Sequence, residues 1–132
     1  MQSKKEPLEA DTVLIVEDDA LISMDAAESV ARAGVNVMTV ETVADALDVL
    51  DHERISAAIL DFHVRDGAVT PVVERLRRSG VPFRIVSGSP LSEIAAKGIP
   101  VDLCAQKPAD YLKVLISLIG ERPWVSLRAS HS

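Results

Sequence analysis

The chain has 132 residues, enough for one domain, and fourteen Lys and Arg against twenty Asp and Glu leave a net charge of −6; a chain of this size buries roughly two thirds of the surface it exposes when unfolded. Its charge repels phosphate backbones and anionic lipid, which argues against nucleic acid and membrane surfaces as direct partners. The single cysteine, Cys104, excludes an internal disulfide framework and suits a reducing compartment, and no apolar run approaches the ~20 residues that span a bilayer, so a cytoplasmic protein is expected.

Residues 1–11 are expected to form a flexible, largely polar N-terminal segment without the apolar core of a secretory signal. Thr12–Val16 then reads as a buried strand that stops on three acids, Glu17, Asp18 and Asp19. Asp19 is placed to cap the helix that follows, where Leu21, Ile22, Ala26, Val30 and Ala31 have helical spacing and Gly34 supplies the stop. Val35–Val40 is a second strand. Thr42 with Asp45 resembles a capping box, and Val43, Ala46, Leu47 and Leu50 continue one apolar helical face. Five of the six residues from Ile55 to Leu60 are apolar, a strand buried on both faces that ends on Asp61.

A loop through Asp66-Gly67 follows. Thr70-Pro71 reads as an N-cap with proline at the first helical position, Val72, Val73 and Leu76 point inward, and Gly80 ends the helix. Arg75, Arg77 and Arg78 are its solvated face. Val81–Val86 is the fourth strand, leading to Ser87-Gly88, and Ser89-Pro90 opens a short helix that closes at Gly98. Val101–Ala105 is the fifth strand, leading to Lys107-Pro108. The last helix runs from about Ala109 to Ile119, with Gly120 as its stop and residues 120–132 as a C-terminal tail.

Strands alternating with helices over short connections predict a doubly wound α/β fold, with a five-stranded parallel sheet, right-handed crossovers and helices on both faces. Pattern alone does not fix the strand order. In the flavodoxin-like order 2-1-3-4-5 the switch point lies between strands one and three, the two that end on acids, and ligands in such sheets gather beyond the strands' carboxyl ends.

Glu17, Asp18 and Asp61 would then converge, and two carboxylates about 4 Å apart repel by roughly 4 kcal/mol at an effective dielectric near 20. Several carboxylates with room for water suit Mg²⁺. Zinc is disfavoured, because Cys104 lies in strand five and His52, His63 and His131 lack ligand spacing. Ser87 adds a hydroxyl donor and Lys107 a fixed cation from two further strand ends. Metal, lysine and hydroxyl around one carboxylate suit phosphoryl transfer, with Asp61 as the nucleophile that forms an acyl phosphate.

In order and approximate spacing, the acids after strand one, Asp61 after strand three, Ser87-Gly88 after strand four and Lys107-Pro108 after strand five resemble the receiver domains of bacterial two-component response regulators. The resemblance covers residues 12–119. It implies that Asp61 is the phosphoacceptor, and that Asp18 binds Mg²⁺ directly and Glu17 through water. The backbone carbonyl of His63 would complete the metal site, and Ser87 and Lys107 would contact the phosphoryl group. Receivers catalyse only their own phosphorylation and dephosphorylation, taking phosphate from a histidine kinase, a phosphotransfer protein or a small phosphodonor. Val81-Pro82-Phe83 with Val86-Ser87-Gly88 is similar to a subset of stand-alone receivers.

The chain also departs from that family. Val64-Arg65-Asp66-Gly67 stands where Met-Pro is frequent, Cys104 where many receivers have a switching aromatic, and Ala109 where phenylalanine is common. His63, at the mouth of the site, is placed to obstruct attacking water and so to alter acyl-phosphate lifetime. No effector domain is expected after Gly120, which leaves contact with a downstream protein, or service as a phosphate sink, as the output. Tyr111, Leu112, Val114, Leu115, Ile116, Leu118 and Ile119 cover roughly 200° of the last helix, more than packing on a sheet needs. The excess, centred on Tyr111, Val114 and Leu118, is expected to form a partner or homodimer surface or to lie under Trp124, Val125 and Leu127 of the tail. Two other functions compete: a degenerate receiver serving as a protein-interaction module, and a small Mg²⁺-dependent phosphatase with Asp61 as nucleophile. The second usually carries another acid two residues on, where this chain has His63.

Overall fold

Alternation along the first strand sets the architecture. Val13 and Ile15 point to one side and Leu14 and Val16 to the other, and all four are buried, which requires cover on both faces of the sheet. The computed structural model describes residues 11–119. In chain order its elements are β1 (Thr12–Val16), α1 (Ala20–Ala31), β2 (Asn36–Val40), α2 (Val43–His52), β3 (Ala57–Leu60), β4 (His63–Val64), β5 (Gly67–Ala68), α3 (Thr70–Ser79), β6 (Phe83–Ser87), α4 (Leu91–Ala95), a 3₁₀ turn (Val101–Leu103), β7 (Cys104–Gln106) and α5 (Tyr111–Ile119). Five strands pair in parallel in the order β2-β1-β3-β6-β7. Numbered within that sheet this is 2-1-3-4-5, the expected doubly wound topology. One core layer sets Leu14, Val16, Ala58, Leu60 and Ile85 against α2, α3 and α4; the other sets Val13, Ile15, Ala57, Ile59 and Val86 against α1 and α5.

Local chemistry explains where the helices start. The Asp19 carboxylate accepts hydrogen bonds from the Leu21 and Ile22 N–H groups at 3.0 and 3.1 Å, and Thr42 Oγ1 accepts from Asp45 N at 3.0 Å, which satisfies donors that lack partners within their own helix. Asp11, next to β1, is buried, and its carbonyl accepts from Asn36 N at 3.0 Å. Residues 1–10 and the tail, with Gly120, Trp124, Val125 and Leu127, lie outside the described residues.

Several expectations need correction. Thr70 is the first helical residue and not the cap; Val69 holds that position and its carbonyl accepts from Val72 and Val73. The fifth strand is shorter than Val101–Ala105, because Leu103 N donates back to Pro100 O at 3.1 Å and β7 meets β6 only from Cys104, opposite Ile85. The last helix starts at Tyr111, where Asp110 caps it by accepting from Leu112 N and Lys113 N at 3.1 and 3.3 Å. Arg75 is not part of a solvated face: it pairs with Asp51 and donates to Leu50 O at 2.9 Å, tying α3 to α2. The hairpin β4–β5 was not foreseen, since two-residue strands carry no readable alternation.

The largest correction concerns α5. Tyr111, Val114 and Leu118 do not centre a spare face; they are buried with Ala26 and Val30 of α1 and Val13 and Ile15 of the sheet. A helix wedged against a sheet and a neighbouring helix buries a wider arc than one lying on a sheet alone. Among the described side chains of α5, Ile116 is the large apolar one left exposed. Among the described residues no helix is long and apolar enough to cross a membrane.

This orientation sets a mutational contrast. Leu115→Ala, at 0% exposure, is expected to cost about 2–5 kcal/mol in urea denaturation. Ile116→Ala, at 58% exposure, should stay within about 0.5 kcal/mol of the parent. Equal losses would mean that α5 presents a different face to the core.

Candidate functional site

Register delivers the acids to one place. Val16 pairs with Leu60 across β1 and β3, so the next residues, Glu17 and Asp61, leave the sheet side by side. The backbone continues the ladder past both strands: Asp61 N donates to Val16 O at 2.9 Å and Glu17 N to Val40 O at 3.0 Å. On the other side Lys107 N donates to Ser87 O at 3.1 Å. Glu17, Asp61, Ser87 and Lys107 therefore share one edge of the sheet, at the carboxyl ends of four different strands.

Oxygen atoms of Glu17, Asp18 and Asp61 lie within 4.8 Å of one another. Lys107 Nζ answers part of that charge, at 2.8 Å from Glu17 Oε1 and 3.1 Å from Asp61 Oδ2. Glu17 Oε2 accepts from Asp19 N at 3.0 Å, so both oxygens of the most buried acid in the cluster are already engaged. Burial pushes the Glu17 carboxyl up, against the pull of the Lys107 and Asp19 hydrogen bonds, and the Asp61 charge adds to the rise. Burial alone would lower Lys107, but its hydrogen bonds to Glu17 and Asp61 outweigh that and raise it. Two anions around one ammonium favour its charged form, while Glu17 is penalised chiefly by its burial.

The donor set fits a hard divalent cation. All three side chains offer carboxylate oxygen, Asp18 and Asp61 are only partly buried, and among the described residues no sulfur or imidazole belongs to the cluster. Such a site suits Mg²⁺, which keeps several waters and binds through one or two protein carboxylates, and it does not suit zinc.

Ser87, also buried, sits two residues beyond Ile85, the partner of Leu60. Its Oγ accepts from Ser89 N at 3.0 Å, which fixes the hydroxyl and leaves it a proton to donate. His63 opens the hairpin two residues after Asp61; its ring packs edge-on against Phe62 with centroids 4.7 Å apart. Its Nε2 lies 2.7 Å from Glu93 Oε2, so the ring is tied to α4. Glu93, beside His63, and Asp66, in the hairpin turn, are neighbours of the site that the sequence does not reveal. Glu93 leaves no local signal there, and Asp66 reads only as a turn residue. Beside Lys107 a cavity of about 400 Å³ is lined by Leu21, Ile22, Asp25, Pro108, Ala109 and Tyr111, and burial pushes the Tyr111 hydroxyl up to about 12.

No protein-family model matches the chain, and no curated protein does. Solved structures are similar to it. A response regulator receiver domain protein (CheY-like) from Methanospirillum hungatei JF-1 superposes with a TM-score of 0.73 at 19% identity, covering 92% of this chain and 98% of that one. A response regulator receiver protein from Sinorhizobium medicae WSM419 gives a TM-score of 0.76 at 24% identity over 86% of this chain and 94% of that one. SdrG from Sphingomonas melonis Fr1 gives 0.65 at 29% identity, with 86% and 95% covered.

Three acids answered by one lysine predict a metal-dependent gain in stability. Mg²⁺ at a hundred times its Kd should stabilise the chain by about 2.7 kcal/mol, read as a rise in Tm. Asp18→Asn should abolish that rise, and in metal-free buffer it should melt higher than the parent because one repelling charge is gone. An undiminished Mg²⁺ response in Asp18→Asn would contradict the assignment.

Proposed function

We propose that this chain, whose fold is that of response regulator receiver domains, is a phosphoacceptor receiver in a two-component phosphorelay and is phosphorylated on Asp61. The observation that carries this reading is the position of Lys107 Nζ, within hydrogen-bond reach of both Asp61 and Glu17 inside the three-acid cluster. An Asp61 oxygen attacks the phosphorus of a phosphohistidine or an acyl phosphate. The O–P bond to Asp61 forms as the N–P or O–P bond of the donor breaks, and the donor leaves with that electron pair. Lys107, already a shared cation, turns to the incoming phosphoryl oxygens. The Ser87 hydroxyl donates to another of them.

Asp18, Asp61 and the backbone carbonyl of His63 would hold Mg²⁺, with Glu17 acting through water. The ion supplies neutralisation of phosphoryl charge, the term on which transfer of this kind depends most. Water later attacks the acyl phosphate, releasing inorganic phosphate and restoring Asp61. The chain thus turns over no substrate beyond its own phosphoryl group.

A donor protein, either a histidine kinase or a phosphotransfer protein, has to approach the rim formed by Asp18 and Asp61. Leu21 and Met24 on α1, at 77% and 68% exposure, give that approach an apolar footing. Output through a downstream protein partner fits better than a homodimer through α5, where Ile116 is the large apolar side chain left exposed among the described residues. A cytoplasmic location follows from this role. The phosphatase alternative is weaker, because the position where a second acid would shuttle protons is His63, and its ring is held by Glu93. The degenerate-receiver alternative has to set aside Glu17, Asp18, Asp61, Ser87 and Lys107, all of which are present.

Incubation with acetyl phosphate and Mg²⁺ should add the mass of one phosphoryl group to the intact chain. Asp61→Asn and chelation of the metal should each prevent it. Modification that persists in Asp61→Asn, or none in the parent chain, would overturn the assignment.

A further inference from the structure

Asp66 takes no part in the phosphoryl chemistry, yet its side chain makes two hydrogen bonds to a helix far away in the chain. It sits in the turn of the β4–β5 hairpin, where its Oδ1 accepts from Val43 N at 2.7 Å and its Oδ2 from Ala44 N at 3.1 Å, with 23 residues separating Val43 from Asp66. These are N–H groups of the first turn of α2, which have no partner inside the helix. Thr42 satisfies a third, that of Asp45, so α2 is capped once by its own N-cap residue and twice from the hairpin.

Besides the His63–Glu93 pair, two further contacts hold the hairpin. Next to Asp66, Arg65 pairs with Glu41 at 2.8 Å. At the root, Val69 N donates to the carbonyl of Phe62, a fully buried residue, at 2.9 Å. The ladder between pairs His63 with Ala68 and Val64 with Gly67, and Gly67 takes the turn at φ +131°, a left-handed value that favours glycine.

The partner segment is the informative part. Residues 40–44 supply Val40 O, which accepts from Glu17 N, and also Glu41, Val43 and Ala44, which hold Arg65 and Asp66. The acids after β1 and the loop after Asp61 are thus both referenced to one short stretch of backbone. We infer that Asp66 is a positioning residue for the acidic site, pinning the hairpin so that the backbone of His63 and Asp61 stays in register with Glu17 and Asp18. This deepens the phosphoacceptor reading and rests on it for the role of the His63 carbonyl; the clamp itself does not. The Val43 N–H, with that of Ala44, holds the Asp66 carboxyl below its usual range, which favours the charged, accepting form.

A plain helix cap would produce the same contacts, and Thr42→Ala separates the two roles because it removes a cap from α2 without touching the hairpin. Both Thr42→Ala and Asp66→Ala should lower the Tm. Mn²⁺ affinity, read by the loss of the free-ion EPR signal without any phosphodonor, should fall on the order of tenfold in Asp66→Ala and by less than about twofold in Thr42→Ala, the scale on which groups behind metal ligands act. Asp66→Asn, which keeps one acceptor oxygen, should fall between and guards against a variant that does not fold. In metal-free buffer, amide exchange over residues 61–69 should quicken in Asp66→Ala and stay as in the parent in Thr42→Ala. Parent-like Mn²⁺ affinity in Asp66→Ala, or an equal loss in Thr42→Ala, would overturn the inference. Absence of Mn²⁺ binding in the parent would sink the phosphoacceptor reading instead, and amide exchange would then decide the clamp alone.

Discussion

One ammonium group shared between two carboxylates is the constraint on which this molecule's chemistry depends. Lys107 Nζ bridges Glu17 and Asp61, and Asp18 adds a third carboxylate within the same few ångströms. Among the described residues of that cluster, one lysine against three carboxylates leaves net negative charge, and a site of this kind takes a cation or a cation-stabilised anion more readily than anything neutral. In the proposed phosphoacceptor role, the same lysine is the group an incoming phosphoryl would recruit. In the resting chain it is held close at hand by acids that compete for it.

The fold turns that constraint into geometry. Glu17, Asp61, Ser87 and Lys107 come from strands far apart in the chain, and only parallel pairing in the order β2-β1-β3-β6-β7 brings their carboxyl ends to one rim. Burial of β1 and β3 on both faces fixes register, because a slip of one residue would send every side chain to the opposite layer. Beyond the strands the backbone is still guided. The hydrogen bonds of Glu17 and Asp61 prolong the ladder, and the hairpin after Asp61 is held at its turn by α2 and at its root by Phe62. His63 joins that loop to Glu93 on α4, a half-exposed pair of small energetic weight that nonetheless limits where the imidazole can go.

Much of this was legible from the chain itself, and for identifiable reasons. Apolar runs that stop abruptly on an acid, a serine or a lysine mark both a strand and its end, so the site residues could be placed before their neighbours were known. Caps with local partners, such as Asp19 and Thr42, were equally open to reading. What stayed hidden depends on partners distant in sequence. Asp66 caps a helix that begins 23 residues earlier, and Glu93 meets His63 across 30 residues; neither leaves a local trace. The wide apolar arc of α5 misled for a related reason, since periodicity counts how many faces are apolar and not how many neighbours will cover them. Tyr111, Val114 and Leu118 are core because α1 lies beside them. Pro100 and the shortness of β7 make the remaining case, in which Val101 and Leu103, read as strand residues, lie in a 3₁₀ turn before the chain reaches the sheet.

The central claim is that Glu17, Asp18 and Asp61 form one site for a single divalent ion, completed by Lys107. Its most direct test is a crystal grown with Mn²⁺ and measured at the manganese absorption edge. The account predicts one anomalous peak, in contact with the carboxylates of Asp18 and Asp61. A peak elsewhere, or none at Mn²⁺ concentrations that raise the melting temperature, would contradict it.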